Sequence, residues 1–215
     1  MDQSIVVAVA SSAGDLDAVC ELLSALPAAS GVAFVIVQHP DPARREVSLG
    51  EALAKLTNRP VVVALDGVVP ERDHVYVMGA NSILTIRDGR MRVNPSANAV
   101  HGPSDTLFTS VAEDLGADAI GVVLSGRGSD GALGIRAIKQ AGGATFAQFP
   151  GSARFASMPI SAIDTGCVDH VLRPNEIARE LSHMSRFNSH PQTLPQSQPK
   201  VAPTNRAQAS AIQIR

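Results

Sequence analysis

The sequence contains very few aromatic residues. They make up 3% of its 215 residues, with no Trp and a single Tyr. A core must therefore be packed mainly from Val, Leu, Ile and Ala. The scarcity of rings argues against a protein that binds single-stranded nucleic acid, because such proteins stack bases on exposed aromatic side chains. The net charge is −2 and no block of Lys and Arg is present, so the basic surface that indicates a nucleic-acid partner is missing as well.

Cysteines and long apolar runs are also scarce. The two cysteines, Cys20 and Cys167, lie within apolar patterns, which favours buried, reduced thiols over a disulfide or a metal site. The histidines show no zinc-binding spacing with cysteine or carboxylate. No apolar stretch reaches the ~18 residues of a membrane span, and no signal peptide precedes the first strand. We therefore expect a cytoplasmic protein with no metal, no other cofactor and no insertion into a membrane.

What the sequence does contain is an alternation of apolar strands and amphipathic helices. Residues 4–10, 32–38 and 119–125 are apolar apart from a polar residue at one end of each run, and they are rich in β-branched side chains, which is typical of strands buried on both faces. A helix predicted over residues 15–26 separates the first two runs. Strand, helix and strand in this order form a βαβ unit with a parallel sheet. The pattern predicts an α/β protein with a doubly wound, mostly parallel sheet and flanking helices.

The remaining segments complete one predicted domain. Residues 83–87 and 90–93 flank Asp88-Gly89, a sequence suited to a tight hairpin turn, and we expect this antiparallel hairpin at one edge of the sheet. Other apolar patterns predict strands at 60–65, 74–77, 144–149 and 168–172, and helices at 47–57, 105–115, 131–141, 158–164 and 174–187. After residue 187 large apolar residues are rare. We therefore predict a domain over residues 1–187 and a disordered tail rich in Pro, Gln and Ser over 188–215.

Three polar side chains stand where buried strands end. Ser12 follows the first strand, His39 follows the second, and Asp130 follows the strand at 119–125 and a short glycine-rich turn. The carboxyl ends of parallel strands meet at one edge of the sheet, where functional groups gather. Ser, His and Asp are the parts of a nucleophilic hydrolase, in which the base takes the serine proton and the acid orients the imidazole. The chain order Ser, His, Asp and the lack of a G-x-S-x-G elbow set the pattern apart from α/β-hydrolases.

Each of the three residues also has an ordinary structural explanation. Ser12 and Asp130 could cap the helices that follow them, and His39 could bond the backbone of a loop. Residues 126–131 also fit the G-x-G-x-x-G pattern of a dinucleotide site, between a strand and a helix. The acidic residue expected about 20 positions further on is missing, which disfavours that alternative. The convergence of three strand ends on one edge keeps the catalytic interpretation open beside the structural one.

Several segments together resemble the catalytic domain of CheB-type chemoreceptor methylesterases. The resemblance covers about residues 4–186 and is carried by residues 9–14, 37–39, 105–112, 124–132, 141–148 and 157–159. It implies a serine hydrolase that removes γ-methyl esters from glutamates on the cytoplasmic helices of chemoreceptors, releasing methanol, and that also deamidates some receptor glutamines. It implies that Ser12 is the nucleophile, His39 the base and Asp130 the orienting acid, with no cofactor.

The resemblance also suggests which residues line the site. The turn of small residues after Ser12 contains Ala13 and Gly14, whose amides could face a developing oxyanion, and the backbone around Arg127 and Gly128 lies near the family's oxyanion region. Arg127 stands where an uncharged residue is common in the family. Such a change bears on the choice of receptor more than on the chemistry.

Other departures from the family pattern surround the same site. Asp15 replaces a glycine, and Pro103 takes the position of a serine. Ser11 supplies a second hydroxyl beside Ser12, although the spacing favours Ser12. These departures keep open an alternative function, a catalytically weak or inactive CheB-like binding module in a chemosensory pathway.

The typical family member has an additional regulatory domain. An N-terminal receiver domain controls access to its active site, whereas the first strand of this chain begins at residue 4, so no receiver domain is expected here. Release of the active site by phosphorylation of a receiver domain on the same chain is therefore not expected. The expected partners are methyl-accepting chemoreceptor helices and a separate regulatory protein.

Overall fold

The computed structural model describes residues 5–12, 16–39, 49–95 and 101–189. The strands in this part of the chain are β1 (Ile5–Ser12), β2 (Val32–His39), β3 (Val61–Val63), β4 (Val75–Val77), β5 (Ser82–Arg87), β6 (Arg90–Pro95), β7 (Ile120–Val123), β8 (Ala144–Gln148) and β9 (His170–Leu172). The α-helices are α1 (Leu16–Ser24), α2 (Leu49–Ala54), α3 (Pro103–Leu115), α4 (Ala132–Gln140), α5 (Ser157–Asp164) and α6 (Pro174–Ser189).

A seven-stranded parallel sheet forms the centre of the fold. Its strand order is β3-β4-β2-β1-β7-β8-β9, and every neighbouring pair runs parallel. The central strand, β1, is buried from Val6 to Ser12, as expected for an apolar run covered on both faces. The predicted doubly wound α/β architecture is confirmed.

Two helical layers cover the two faces of the sheet. On one face, α1, α2 and α6 pack on Val7 and Val9 of β1. On the other face, α3, α4 and α5 pack on Ala8 and Ala10. Successive residues of a strand point to opposite faces, so Ser12 continues the row of Ala8 and Ala10 toward the α3–α5 layer.

The chain changes direction across the sheet at β1. β1 and β2 lead into helices of the first layer, whereas β7, the other neighbour of β1, leads into α4 of the second layer. The crevice between the carboxyl ends of β1 and β7 is therefore the topological switch point. In open α/β sheets this is where ligands bind.

The predicted hairpin forms, but its location differs from the expectation. β5 and β6 are a separate two-stranded antiparallel sheet and are not hydrogen-bonded to an edge of the large sheet. Asp88 and Gly89 have φ angles of 53° and 68°, which suit a two-residue hairpin turn. The apolar side of the hairpin packs in the core on the α3 side, with Leu84 and Met91 fully buried. Burial against α3 decides its position, and strand pattern alone cannot reveal that.

The last helix of the described chain extends slightly beyond its predicted end. α6 continues to Ser189, two residues past the expected end at 187, and the rest of the predicted tail lies outside the described residues. No helix in the described part of the chain combines the length and the hydropathy that crossing a membrane requires.

Candidate active site

Ser12 lies at the switch point between β1 and β7. Its N–H donates to the carbonyl of Ser125 over 3.3 Å, and the N–H of Leu124 donates to Ala10 over 2.9 Å. A Cβ placed on Gly126 would lie 2.9 Å from the Ser12 Cβ, so only a glycine lets the β7 loop approach this closely. Ser12 is 8% exposed and thus sits at the base of the crevice.

The neighbouring hydroxyl of Ser11 belongs to the opposite face of the sheet. Ser11 is fully buried, and its Oγ has no hydrogen-bond partner among the described residues. Because side chains alternate along β1, Ser11 points away from the α3–α5 layer. Of the two hydroxyls, that of Ser12 is therefore the one that can face the switch-point crevice.

His39 is the last residue of β2 and the register partner of Ser12 across the parallel pair. The two strands thus end together, as the sequence predicts. The side chain of His39 lies outside the described residues, and so do Ala13 and Gly14 of the predicted oxyanion turn.

Asp130 lies in the loop between β7 and α4, and its carboxylate faces the start of α3. Oδ2 accepts the N–H of Ser104 over 2.8 Å, and Oδ1 accepts the N–H of Asp105 over 2.9 Å. A helix N-terminus favours a negative charge, so these bonds hold the carboxylate in a fixed place. A Cβ on the next residue, Gly131, would lie 3.6 Å from the Cβ of Ala10, which places this turn against β1 two residues before Ser12.

The carboxylate of Asp105, in α3, accepts backbone N–H groups at the start of α4. Its Oδ1 accepts the N–H groups of Gly131 and Gly134, each over 2.9 Å, at the start of α4. The carboxylate of Asp130, just before α4, thus binds amides at the start of α3, and the carboxylate of Asp105, in α3, binds amides at the start of α4. Burial raises the pKa of Asp105 above its ordinary value, the negative charge of Asp130 raises it further, and the two N–H bonds oppose the rise.

The role of Asp105 escapes sequence reasoning. The sequence pattern marks it only as an acidic residue in the first turn of a helix. The groups that it binds lie 26 and 29 residues away, and no local signal connects them. Its burial beside a second acid becomes visible only in the folded chain.

The loop after β7 is held by the end of β8, by Phe155 and by the start of α5. The N–H of Ser125 donates to Gln148 Oε1 over 2.8 Å, and the N–H of Gly126 donates to the Phe155 carbonyl over 2.9 Å. Gly128 donates its N–H to Ser157 Oγ over 3.2 Å. The Arg127 N–H, by contrast, has no acceptor among the described residues. Of the two predicted oxyanion residues in this loop, Gly128 thus has its amide engaged within the described residues and Arg127 does not.

Fold and site together define a class of protein, the doubly wound α/β proteins with a serine at the switch point and a fixed carboxylate beside it. A model of the CheB methylesterase family matches residues 7–181. This chain belongs to that family, which confirms the resemblance seen in its sequence. Within the described residues, no group of three or more His, Cys, Asp or Glu side chains is arranged to hold a metal ion.

Individual relatives agree with this assignment. The protein-glutamate methylesterase/protein-glutamine glutaminase 3 of Burkholderia orbicola is 38% identical over 182 residues, covering 83% of this chain and 53% of the relative. The corresponding protein of Escherichia coli O157:H7 is 36% identical over 187 residues, covering 81% and 51%. The crystal structure of the Thermotoga maritima CheB methylesterase catalytic domain matches with a TM-score of 0.75 and 26% identity, covering 85% of this chain and 99% of that one. This chain spans about half the length of the curated relatives.

Proposed function

We propose that this protein is a cytoplasmic serine esterase that hydrolyses γ-methyl esters of glutamate residues on chemoreceptor helices. The observation that carries the proposal is the position of Ser12. It ends the central strand at the switch point, pairs in register with His39, and lies two residues after Ala10, against which the turn that carries Asp130 packs. The names of its relatives, protein-glutamate methylesterases and glutaminases, supply the substrate class.

The chemistry proceeds through an acyl-enzyme. Ser12 Oγ attacks the ester carbonyl while His39 accepts its proton, and the tetrahedral intermediate expels methanol, which takes the proton from His39. A glutamyl ester on Ser12 remains. Water then attacks this ester, with His39 again accepting and returning a proton, and the free glutamate side chain is released. No cofactor takes part in this sequence.

Asp130 serves as the orienting acid in this proposal. Two N–H bonds from the start of α3 fix its carboxylate, and an ionised carboxylate has about four acceptor sites. The carboxylate can also accept one N–H of the His39 ring in this arrangement. Such a bond would hold the imidazole in the tautomer that accepts the serine proton.

The backbone of the β7 loop supplies the oxyanion donor in this proposal. The Arg127 N–H follows Gly126, the residue against the Ser12 Cβ, and Gly128 is already bonded to Ser157. We therefore assign the donor role to the Arg127 amide, together with the amides of Ala13 and Gly14 after the nucleophile. The same site would deamidate glutamine, because ammonia replaces methanol as the leaving group.

A test uses a helical receptor peptide that carries one glutamate γ-methyl ester. The expected result is release of methanol and appearance of free glutamate in proportion to the amount of protein, measured by gas chromatography and mass spectrometry. A matched peptide with glutamine in the same position reports deamidation as ammonia. Tight binding of the ester peptide without any methanol would contradict the esterase and favour the catalytically inactive binding module.

The carboxylate of Asp130 can be displaced without changing its chemistry. A Cβ on Gly102 would lie 2.2 Å from Asp130 Oδ1 and 2.4 Å from its Cγ, so Gly102→Ala must move the carboxylate. We expect kcat for ester hydrolysis to fall by about 10²-fold, since a misplacement of about 1 Å has an effect of this size. Gly79→Ala is the control, because its Cβ would meet only ordinary contacts at 3.5 Å. Equal kcat values for the two variants would show that the position of Asp130 is unimportant.

A further inference from the structure

A guanidinium stacked on an aromatic ring stands at the edge of the candidate active site. The Cζ of Arg127 lies 4.3 Å from the centroid of the Phe155 ring, and the Cζ of Arg154 lies 5.4 Å from the same centroid. Arg127 is exposed, and its guanidinium forms no ion pair with any residue in the described part of the chain. A cation over a ring face is attracted to it and loses freedom of motion.

The backbone of Phe155, the residue whose ring supports Arg127, is bonded to the loop after β7. The Phe155 N–H donates to Ser125 Oγ over 3.0 Å, and its carbonyl accepts the N–H of Gly126 over 2.9 Å. The backbone that positions Ser12 therefore also positions the aromatic platform. A guanidinium fixed in this way loses little entropy when it binds a partner, which makes it well suited to a planar carboxylate.

The surroundings favour an anionic partner from outside the chain. The nearest acid along the loop, Asp130, is turned toward the α3 amides of Ser104 and Asp105 and is engaged there. The chain as a whole carries a net charge of −2. Arg127 is thus a local positive charge that the protein exposes beside its candidate nucleophile, one residue from the glycine that contacts Ser12.

We propose that Arg127, seated on Phe155, binds a carboxylate side chain of the substrate helix one turn away from the reacting ester. This inference rests on the proposed esterase function and adds a determinant of substrate choice. Residues three or four apart on a helix have Cβ atoms about 5–6 Å apart, which matches the reach of an arginine side chain beside the site. Glutamate or aspartate at that position would form a bidentate pair with the guanidinium, whereas glutamine would not.

The test compares two helical peptides that carry the same glutamate γ-methyl ester. One has glutamate and the other glutamine at the positions four residues before and after the ester. The readout is the ratio of kcat/KM for the acidic peptide to that for the neutral one, measured as methanol release by the full chain. We expect the wild type to favour the acidic peptide by about 5- to 10-fold, and Arg127→Gln to bring the ratio to about 1. Any effect of the substitution common to both peptides cancels in the ratio.

Further variants separate recognition from structural support. Arg127→Glu should reverse the preference, so that the neutral peptide is hydrolysed faster. Phe155→Leu keeps an apolar side chain but removes the ring, and the ratio should fall toward 1. Arg179→Gln is the matched control, because Arg179 is an exposed arginine on α6, in the opposite helical layer, and should leave the ratio unchanged. Raising the salt concentration should lower the wild-type ratio, since an exposed ion pair is screened.

The possible outcomes distinguish the inference from the function on which it rests. Methanol from neither peptide would overturn the proposed esterase. Methanol from both peptides, with a ratio that Arg127→Gln and Arg127→Glu leave at the wild-type value, would overturn the role of Arg127 and leave the esterase intact.

Discussion

Replacing Ser12 by alanine is expected to lower kcat for methyl-ester hydrolysis by about 10⁴-fold or more. The alanine variant lacks the atom that forms the acyl-enzyme, so only binding and the oxyanion donors remain to promote attack by water. In serine hydrolases those residual contributions fall short of the full mechanism by several orders of magnitude. The measurement is methanol release from the ester peptide under single-turnover conditions. A serine-directed fluorophosphonate should label the wild type at Ser12 and leave the alanine variant unlabelled.

Ser11→Ala is the matched control for this prediction. Ser11 has a fully buried hydroxyl with no partner among the described residues, and it lies on the face of β1 away from the α3–α5 layer. Removing an unpaired buried hydroxyl leaves no other group unsatisfied, so stability should be unchanged or slightly higher. We expect kcat to stay within about 3-fold of the wild-type value, an effect of well under 1 kcal/mol. A large loss of activity in Ser11→Ala together with full activity in Ser12→Ala would show that Ser11, and not Ser12, is the nucleophile.

Strand periodicity explains why the fold could be predicted from this sequence. Residues 5–10 of β1 and 32–37 of β2 are apolar at every position, a pattern typical of strands covered on both faces. With a helix between them, the right-handed crossover leaves few possible topologies. The hairpin of β5 and β6 shows the limit of this reasoning. Its strands and its turn follow from local chemistry, but its place against α3 depends on a long-range packing contact.

The same distinction applies to the candidate site. Ser12 and His39 come together because two parallel strands end in register, and the ends of both apolar runs can be read in the sequence. The orientation of Asp130 cannot be read in the sequence, because it depends on amides at the start of α3, in a different part of the chain. The sequence marks Arg127 as a departure from the family pattern, but its contact with the Phe155 ring follows from the tertiary fold alone.

Asp105→Ala is expected to cause a large loss of stability together with a loss of activity. The substitution removes the acceptor for the N–H groups of Gly131 and Gly134, both of them buried. Leaving two buried donors unsatisfied costs about 2–4 kcal/mol of unfolding free energy. The turn that carries Asp130 would also lose its anchor, so kcat should fall by about 10-fold or more. Urea denaturation and methanol release measure the two effects, and wild-type stability in this variant would show that other acceptors serve the two amides.

Asp105→Asn separates the acceptor from the charge. The asparagine oxygen can still accept the N–H groups of Gly131 and Gly134, while the buried negative charge beside Asp130 disappears. The folded-state pKa of Asp105 is raised, so its contribution to stability is complete below its ordinary value of 3.8 and is lost as the pH rises through the folded-state pKa. The asparagine variant has no such loss.

The stability of Asp105→Asn relative to the wild type should therefore increase as the pH is raised from about 4 to 7. Other titratable side chains beside Asp105 are Asp130, in the loop before α4, and His101 and Glu113, which line a cavity of 310 Å³ together with Asp105. Variants Glu113→Gln and His101→Gln, combined with Asp105→Asn, test whether those two groups produce the pH dependence instead. A stability difference that stays constant over this range would mean that the Asp105 carboxyl has an ordinary pKa. The bonds of the Asp130 and Asp105 carboxylates to the starts of α3 and α4 would then hold the two helices together without a cost from repulsion between the two charges.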